Sequence, residues 1–128
     1  MIILGDKLIP FEDIFIIDSI EEIKSTKANS TLIFTFDEKL LKYCFENNLN
    51  FAVLVNSIKE AIYSNSLGAK YIICSKILAK DIQKIAENYM YDSKILAIIT
   101  SNDEFEEITE SQIDGVIYKE LINKWRFY

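Results

Sequence analysis

Tyr71-Ile72-Ile73-Cys74-Ser75-Lys76-Ile77-Leu78-Ala79-Lys80-Asp81-Ile82-Gln83-Lys84-Ile85-Ala86, residues 71–86, is the stretch that decides the fold. Its first four residues are apolar or aromatic without alternation, as in a strand buried on both faces. Ser75 then suits a helix N-cap. Beyond it Leu78, Ile82, Ile85, Ala86 and Tyr89 recur at helical spacing. A strand therefore passes into a helix across one polar residue.

Working outward, the same unit recurs on both sides. Strand Thr31–Phe36 leads into a helix from Asp37 to about Asn48 carrying Leu41, Cys44, Phe45 and Leu49. Strand Phe51–Val55 leads to Ser57-Ile58-Lys59-Glu60, which has capping-box form, and to a helix that Gly68 ends. Strand Ile95–Ile99 leads to Ser101-Asn102-Asp103-Glu104, a second box of the same kind. Asp114-Gly115 turns into strand Val116–Tyr118, followed by a short helix from Glu120 with Leu121, Ile122 and Trp125 inward. Strands alternating with helices predict an α/β fold with a mostly parallel sheet. The expected arrangement is an open, doubly wound, three-layer sheet of flavodoxin-like or Rossmann-like type.

Residues 1–30 read differently. Ile2–Leu4 and Lys7–Ile9 flank Gly5-Asp6, which predicts a small hairpin, and Pro10 breaks regularity after it. Ile14–Ile17 is a further candidate strand, and Ser19-Ile20-Glu21-Glu22 opens a short helix. The 128 residues fit one domain, with residues 1–30 as hairpin and short helix and 31–128 as the βα repeats.

Composition narrows the function. Half the residues are hydrophobic, enough for one core without metal or disulfides. The net charge is −6, and no lysine stripe with interleaved aromatics occurs, so nucleic acid is not an expected partner. No apolar run is long enough to span a membrane, and the start lacks the features of a secretion signal. With Cys44 and Cys74 in apolar positions, reduced thiols and a cytoplasmic location are expected. There is no histidine, which removes Ser-His-Asp and Cys-His catalysis and His-ligated zinc. Three glycines, at 5, 68 and 115, cannot write a dinucleotide fingerprint or a P-loop.

Parallel strands would gather their carboxyl ends on one rim. Ser57, Ser75, Lys76, Thr100 and Ser101 would lie there as ligand-binding candidates, several at helix N-termini that favour anions. Asp37, Cys74 and Lys119 are the candidates for catalysis: a carboxylate for a metal or proton, a thiol beside Lys76, and a lysine for an anion. For the serines and Asp37, capping alone is the simpler role. Magnesium would suit the rim carboxylates, but no metal site or cofactor is predicted. Trp125, Phe127 and Tyr128 form an aromatic chain end suited to an interface, as in a homodimer.

The stretch Phe51 to Ile82, with Leu67-Gly68-Ala69-Lys70-Tyr71-Ile72, resembles the last two βα units of bacterial response-regulator receiver domains. That resemblance implies a flavodoxin-like fold with Asp37 as phosphoacceptor, Ser57 as the signalling hydroxyl and Lys76 as the lysine, while the acidic pair reduces to Asp18. In a second register Asp37-Glu38 is the acidic pair, Thr100 the hydroxyl and Lys119 the lysine. Cys74 or Ser75 then stands at the phosphoacceptor position, as in a degenerate pseudo-receiver. The run from Ser57 through Ala61 to Gly68-Ala69 is also similar to repeats of phosphate-binding βα barrels; no strand lysine of Schiff-base aldolases accompanies it.

The function expected from these features is a non-catalytic binding or regulatory module acting through protein contacts, with itself as first partner. The alternative is a small-ligand or phosphate-binding enzyme working at the strand-end rim.

Overall fold

The computed structural model describes residues 1–126, with side chains to Asn123. Seven strands form one sheet: β1 (Ile2–Leu4), β2 (Ile14–Ile16), β3 (Thr31–Thr35), β4 (Phe51–Leu54), β5 (Tyr71–Cys74), β6 (Lys94–Ile99) and β7 (Gly115–Tyr118). Between them run α1 (Ile20–Ile23), α2 (Glu38–Glu46), α3 (Ile58–Ser66), α4 (Lys76–Asn88) and α5 (Phe105–Glu110). A 3₁₀ turn at Asn102–Glu104 precedes α5, and α6 (Lys119–Arg126) follows β7. Every strand pairing is parallel.

The predicted parallel βα repeat is therefore present, but its winding differs from expectation. The strand order is β1-β7-β6-β5-β4-β3-β2, so from β2 to β7 each strand lies beside its predecessor. A flavodoxin-like order needs a reversal, after which crossovers of the same hand place helices on the second face. Without a reversal the sheet is singly wound. Helices α1–α5 all pack on one face, where Leu41, Cys44, Ala61, Ala79, Ile82 and Ile108 meet strand residues such as Phe34, Val53, Ile72 and Val116. The other face gathers Leu4, Ile14, Ile33, Ala52, Ile73, Leu96 and Ile117, and α6 covers it with Ile122 and Leu121. Sequential strands with helices on one side curl as in a βα barrel, and here the curl yields a half-barrel.

The predicted hairpin does not form. Strands β1 and β2 lie at opposite edges of the sheet. Gly5 takes φ +96, a left-handed conformation, and Asp6 Oδ1 accepts the Leu8 N–H at 2.8 Å, so the chain turns off β1 without returning along it. β1 instead pairs with β7, with Ile2 opposite Gly115, because that residue lacks a side chain. A Cβ on Gly115 would lie 2.4 Å from the Ile2 carbonyl oxygen and 2.7 Å from Ile2 Cβ.

Residues 5–13 then form a strap from the carboxyl end of β1 to the amino end of β2. Six strand spacings of about 4.8 Å make a flat sheet about 29 Å wide. The strap, containing a turn, reaches at most about 33 Å and must also descend the height of the sheet. Curling brings the two edges within its reach. Two tyrosine–carboxylate bonds fasten it: Tyr118 donates to Asp6 Oδ2 at 2.6 Å, and Tyr71 donates to Glu12 Oε1 at 2.8 Å.

Helix ends follow the sequence closely. Ser19, Asp37, Ser57, Ser75 and Ser101 each cap a following helix or turn. Asn48, Gly68, Met90 and Gln112 each adopt positive φ just past a helix. Among the described residues no helix is long and apolar enough to cross a membrane.

Candidate functional site

Parallel pairing places the predicted residues on the carboxyl-end rim, as expected, and shows what each one touches. Asp37 Oδ1 accepts the Leu40 N–H at 3.0 Å. The Ser57 hydroxyl accepts from Glu60 N at 3.1 Å, and the Ser75 hydroxyl from Leu78 N at 3.3 Å. Ser101 accepts from Asp103 N at 3.3 Å. Each satisfies an N–H that the helix leaves open.

Glu104 holds the most charged position. Its Oε2 accepts from Thr100 N at 2.6 Å, Thr100 Oγ1 at 3.0 Å and Ser101 N at 3.1 Å. Its Oε1 lies 2.5 Å from Lys76 Nζ, which also reaches Glu107 Oε2 at 3.0 Å. Lys76 and then the Thr100 and Ser101 N–H groups hold the Glu104 carboxyl down at about 2. The same pairing raises Lys76 above the ordinary lysine range, Glu104 contributing most and Glu107 next. Glu104 thus occupies the place that an external anion would take at this helix start, and Lys76 already neutralises it. In the receiver-like register Lys76 would face Asp37; its bonds here run to Glu104 and Glu107.

Cys74 is 2 % exposed and lies on the helix-covered face, among Ile72, Ala79 and Ile82. Burial pushes its thiol up to about 12. The predicted help from Lys76 and the helix start is absent because the thiol points into the core, and a thiol so placed is not a nucleophile at neutral pH. Cys44 is likewise buried, with its thiol pushed up to about 11. Lys119 is exposed at the first position of α6. Of the residues predicted for an interface, Trp125 lies in α6, its side chain outside the description, and Phe127 and Tyr128 lie outside the described residues.

Two features escaped the sequence. At the opposite pole, Glu12 accepts from Thr31 Oγ1 at 2.8 Å, Lys70 Nζ at 2.6 Å and Tyr71 OH at 2.8 Å. Burial would raise this carboxyl, but the bonds from Lys70, Thr31 and Tyr71 outweigh it and leave it below the ordinary glutamate value. Burial and Glu12 together push the Tyr71 hydroxyl far up. These partners are 19 to 59 residues apart in sequence, so no local pattern announces them.

The second is an apolar groove on the helical face. Ile58 and Ile62 of α3 and Ile85 of α4 line it with Tyr89, the residue just past α4, and Tyr91, around a volume of about 610 Å³. Tyr89 is 77 % exposed and the adjoining Met90 85 %. The helical pattern did contain the signal: Ile62 and Tyr89 extend the apolar stripe beyond what the sheet covers.

In comparisons with known proteins, no family model matches the chain and no curated protein matches it. The fold defines a parallel βα-repeat α/β domain with a seven-stranded, all-parallel sheet among the described residues.

Proposed function

We propose that this chain is a non-catalytic binding module acting through protein contacts on the α3–α4 face. The groove of Ile58, Ile62, Ile85, Tyr89 and Tyr91 carries this reading. Water-exposed apolar side chains gathered around a concavity gain free energy when a partner covers them. A second copy of the chain is the first partner to test, because Tyr89, 77 % exposed, projects from the wall of the groove. The same face offers both a projection and a recess, as a twofold contact requires. The rim supports the reading from the other side, since Lys76 is engaged with Glu104 and Glu107 and the side chains of Asp37, Ser57, Ser75 and Ser101 with helix N–H groups.

Sedimentation or light scattering of the full chain tests this. Dimers that dissociate with Ile62→Glu, the helix content being unchanged, support it. A chain that stays monomeric at high concentration and binds no protein through this face overturns it.

The alternative is a small-ligand or phosphate-binding enzyme at the rim. One observation favours it: a depression of about 260 Å³ at that pole is lined by Asp18, Ser19, Glu21, Asp37 and Lys39. Its electrostatics suit a cation such as magnesium better than a phosphate. A rise in melting temperature with magnesium, nucleotides or phosphosugars would support it, because a ligand of the folded state must stabilise that state.

A further inference from the structure

We propose that β1 is an exchangeable strand: the seat along β7 that it fills in its own chain also accepts β1 of a second copy. The occupant's fit is given by the structure itself. Ile2, Ile3 and Leu4 pair with Gly115, Val116 and Ile117. The seat is cut for this strand, because Gly115 leaves the space that the Ile2 carbonyl enters. Leu4 is 2 % exposed and packs with Leu96 and Ile117. A vacant seat would expose the open edge of β7 and those side chains, so any available copy of β1 would fill it.

The connection to the rest of the chain is what permits exchange. β1 is a three-residue edge strand, and among the described residues its only sheet neighbour is β7. The strap that follows is mostly exposed from Lys7 to Phe11, with Leu8 at 85 %. Its side-chain fastenings are Asp6 to Tyr118, Glu12 to Thr31, Lys70 and Tyr71, and the exposed ion pair of Asp13 with Lys27. All of these can form identically when the strap leads to a neighbouring molecule, so a swapped pair keeps the contacts of the single chain. Exchanging an identical element is a low-cost route to a dimer, and a short hinge promotes it. This contact is separate from the α3–α4 groove.

Strap length tests the proposal, in chains carrying Ile62→Glu so that the groove cannot contribute. Removing residues 7–11 keeps the fastening carboxylates Asp6, Glu12 and Asp13 but leaves four residues between β1 and β2. Those span about 17 Å. A half-circle of seven strands is about 18 Å across before the descent to β2 is added, so β1 cannot reach its own seat. The expected result is a folded particle of twice the chain mass whose unfolding midpoint rises with concentration. A folded monomer overturns the proposal. Should that chain not fold, the intact strap still decides. Refolding at rising concentration gives dimers that survive dilution, and two tagged forms mix only when refolded together. A chain with six Gly/Ser residues inserted after Leu8 remains monomeric. An intact-strap chain that refolds only to monomer at every concentration overturns the exchange and leaves the groove reading untouched.

Discussion

Replacing Gly115 with alanine adds one methyl group where the structure has no room for it. The new Cβ would meet the Ile2 carbonyl oxygen at 2.4 Å, Ile2 Cβ at 2.7 Å and Leu96 Cδ2 at 2.8 Å. The leucine methyl can rotate aside, but the carbonyl belongs to the backbone of β1. To reach an ordinary carbon–oxygen separation of about 3.3 Å, β1 must move by nearly an ångström. Overpacking of this kind costs about 1–3 kcal/mol. If β1 leaves instead, burial of Leu4 is lost, worth about 1.5–3 kcal/mol, together with ladder bonds at about 1 kcal/mol each. The protein takes the cheaper route, so the expected destabilisation is about 1–3 kcal/mol.

Gly68→Ala is the control. That residue has φ +87 but nothing within 4 Å of an added Cβ, so only the left-handed conformation penalises it, by about 1 kcal/mol. Urea unfolding of both variants gives the two losses, and hydrogen exchange at Ile3 and Leu4 reports on β1. A Gly115→Ala protein within 0.5 kcal/mol of the parent, with β1 still protected, would refute the close-approach argument.

The other expectations concern single groups. Met90 adopts φ 54 with its side chain 85 % exposed, so Met90→Gly should stabilise by about 1 kcal/mol in the same urea assay. Asp6, Glu12 and Glu104 all have carboxyls held below their ordinary values in the fold. Their contribution is present above the unfolded carboxylate range near 4 and is lost as pH falls towards 2; the urea midpoint should drop across that window, less steeply in Glu104→Gln. Cys44 and Cys74 should react with a thiol reagent only at the rate of unfolding, and fast labelling of either in the native protein would contradict the burial described.

The sequence made the repeat visible because buried parallel strands have a local signature. Thr31–Thr35, Phe51–Leu54 and Tyr71–Cys74 are continuous apolar runs, and the residues after them are good caps. Winding is different in kind. A right-handed crossover fixes the side on which a helix returns but not which neighbour its next strand joins. The doubly wound expectation supplied a reversal that no residue specified. The hairpin expectation failed for a related reason: Gly5-Asp6 has turn chemistry, but the partner of Ile2 is Gly115. Of the site, the capping roles of Asp37, Ser57, Ser75 and Ser101 were legible. The pairing of Lys76 with Glu104 and the grip on Glu12 by Lys70 and Tyr71 depend on tertiary proximity and were not.

The pairing of β1 with β7 also orders events on the ribosome. Residues 2–4 are made well before residues 115–117, which form their seat. At a synthesis rate of about 5–20 residues per second, Ile2-Ile3-Leu4 waits roughly 6–23 seconds for its partner. During that interval these apolar residues lie unpaired in the nascent polypeptide, a natural target for chaperones that shield newly made chains. The sheet can be completed only once residue 117 has been made.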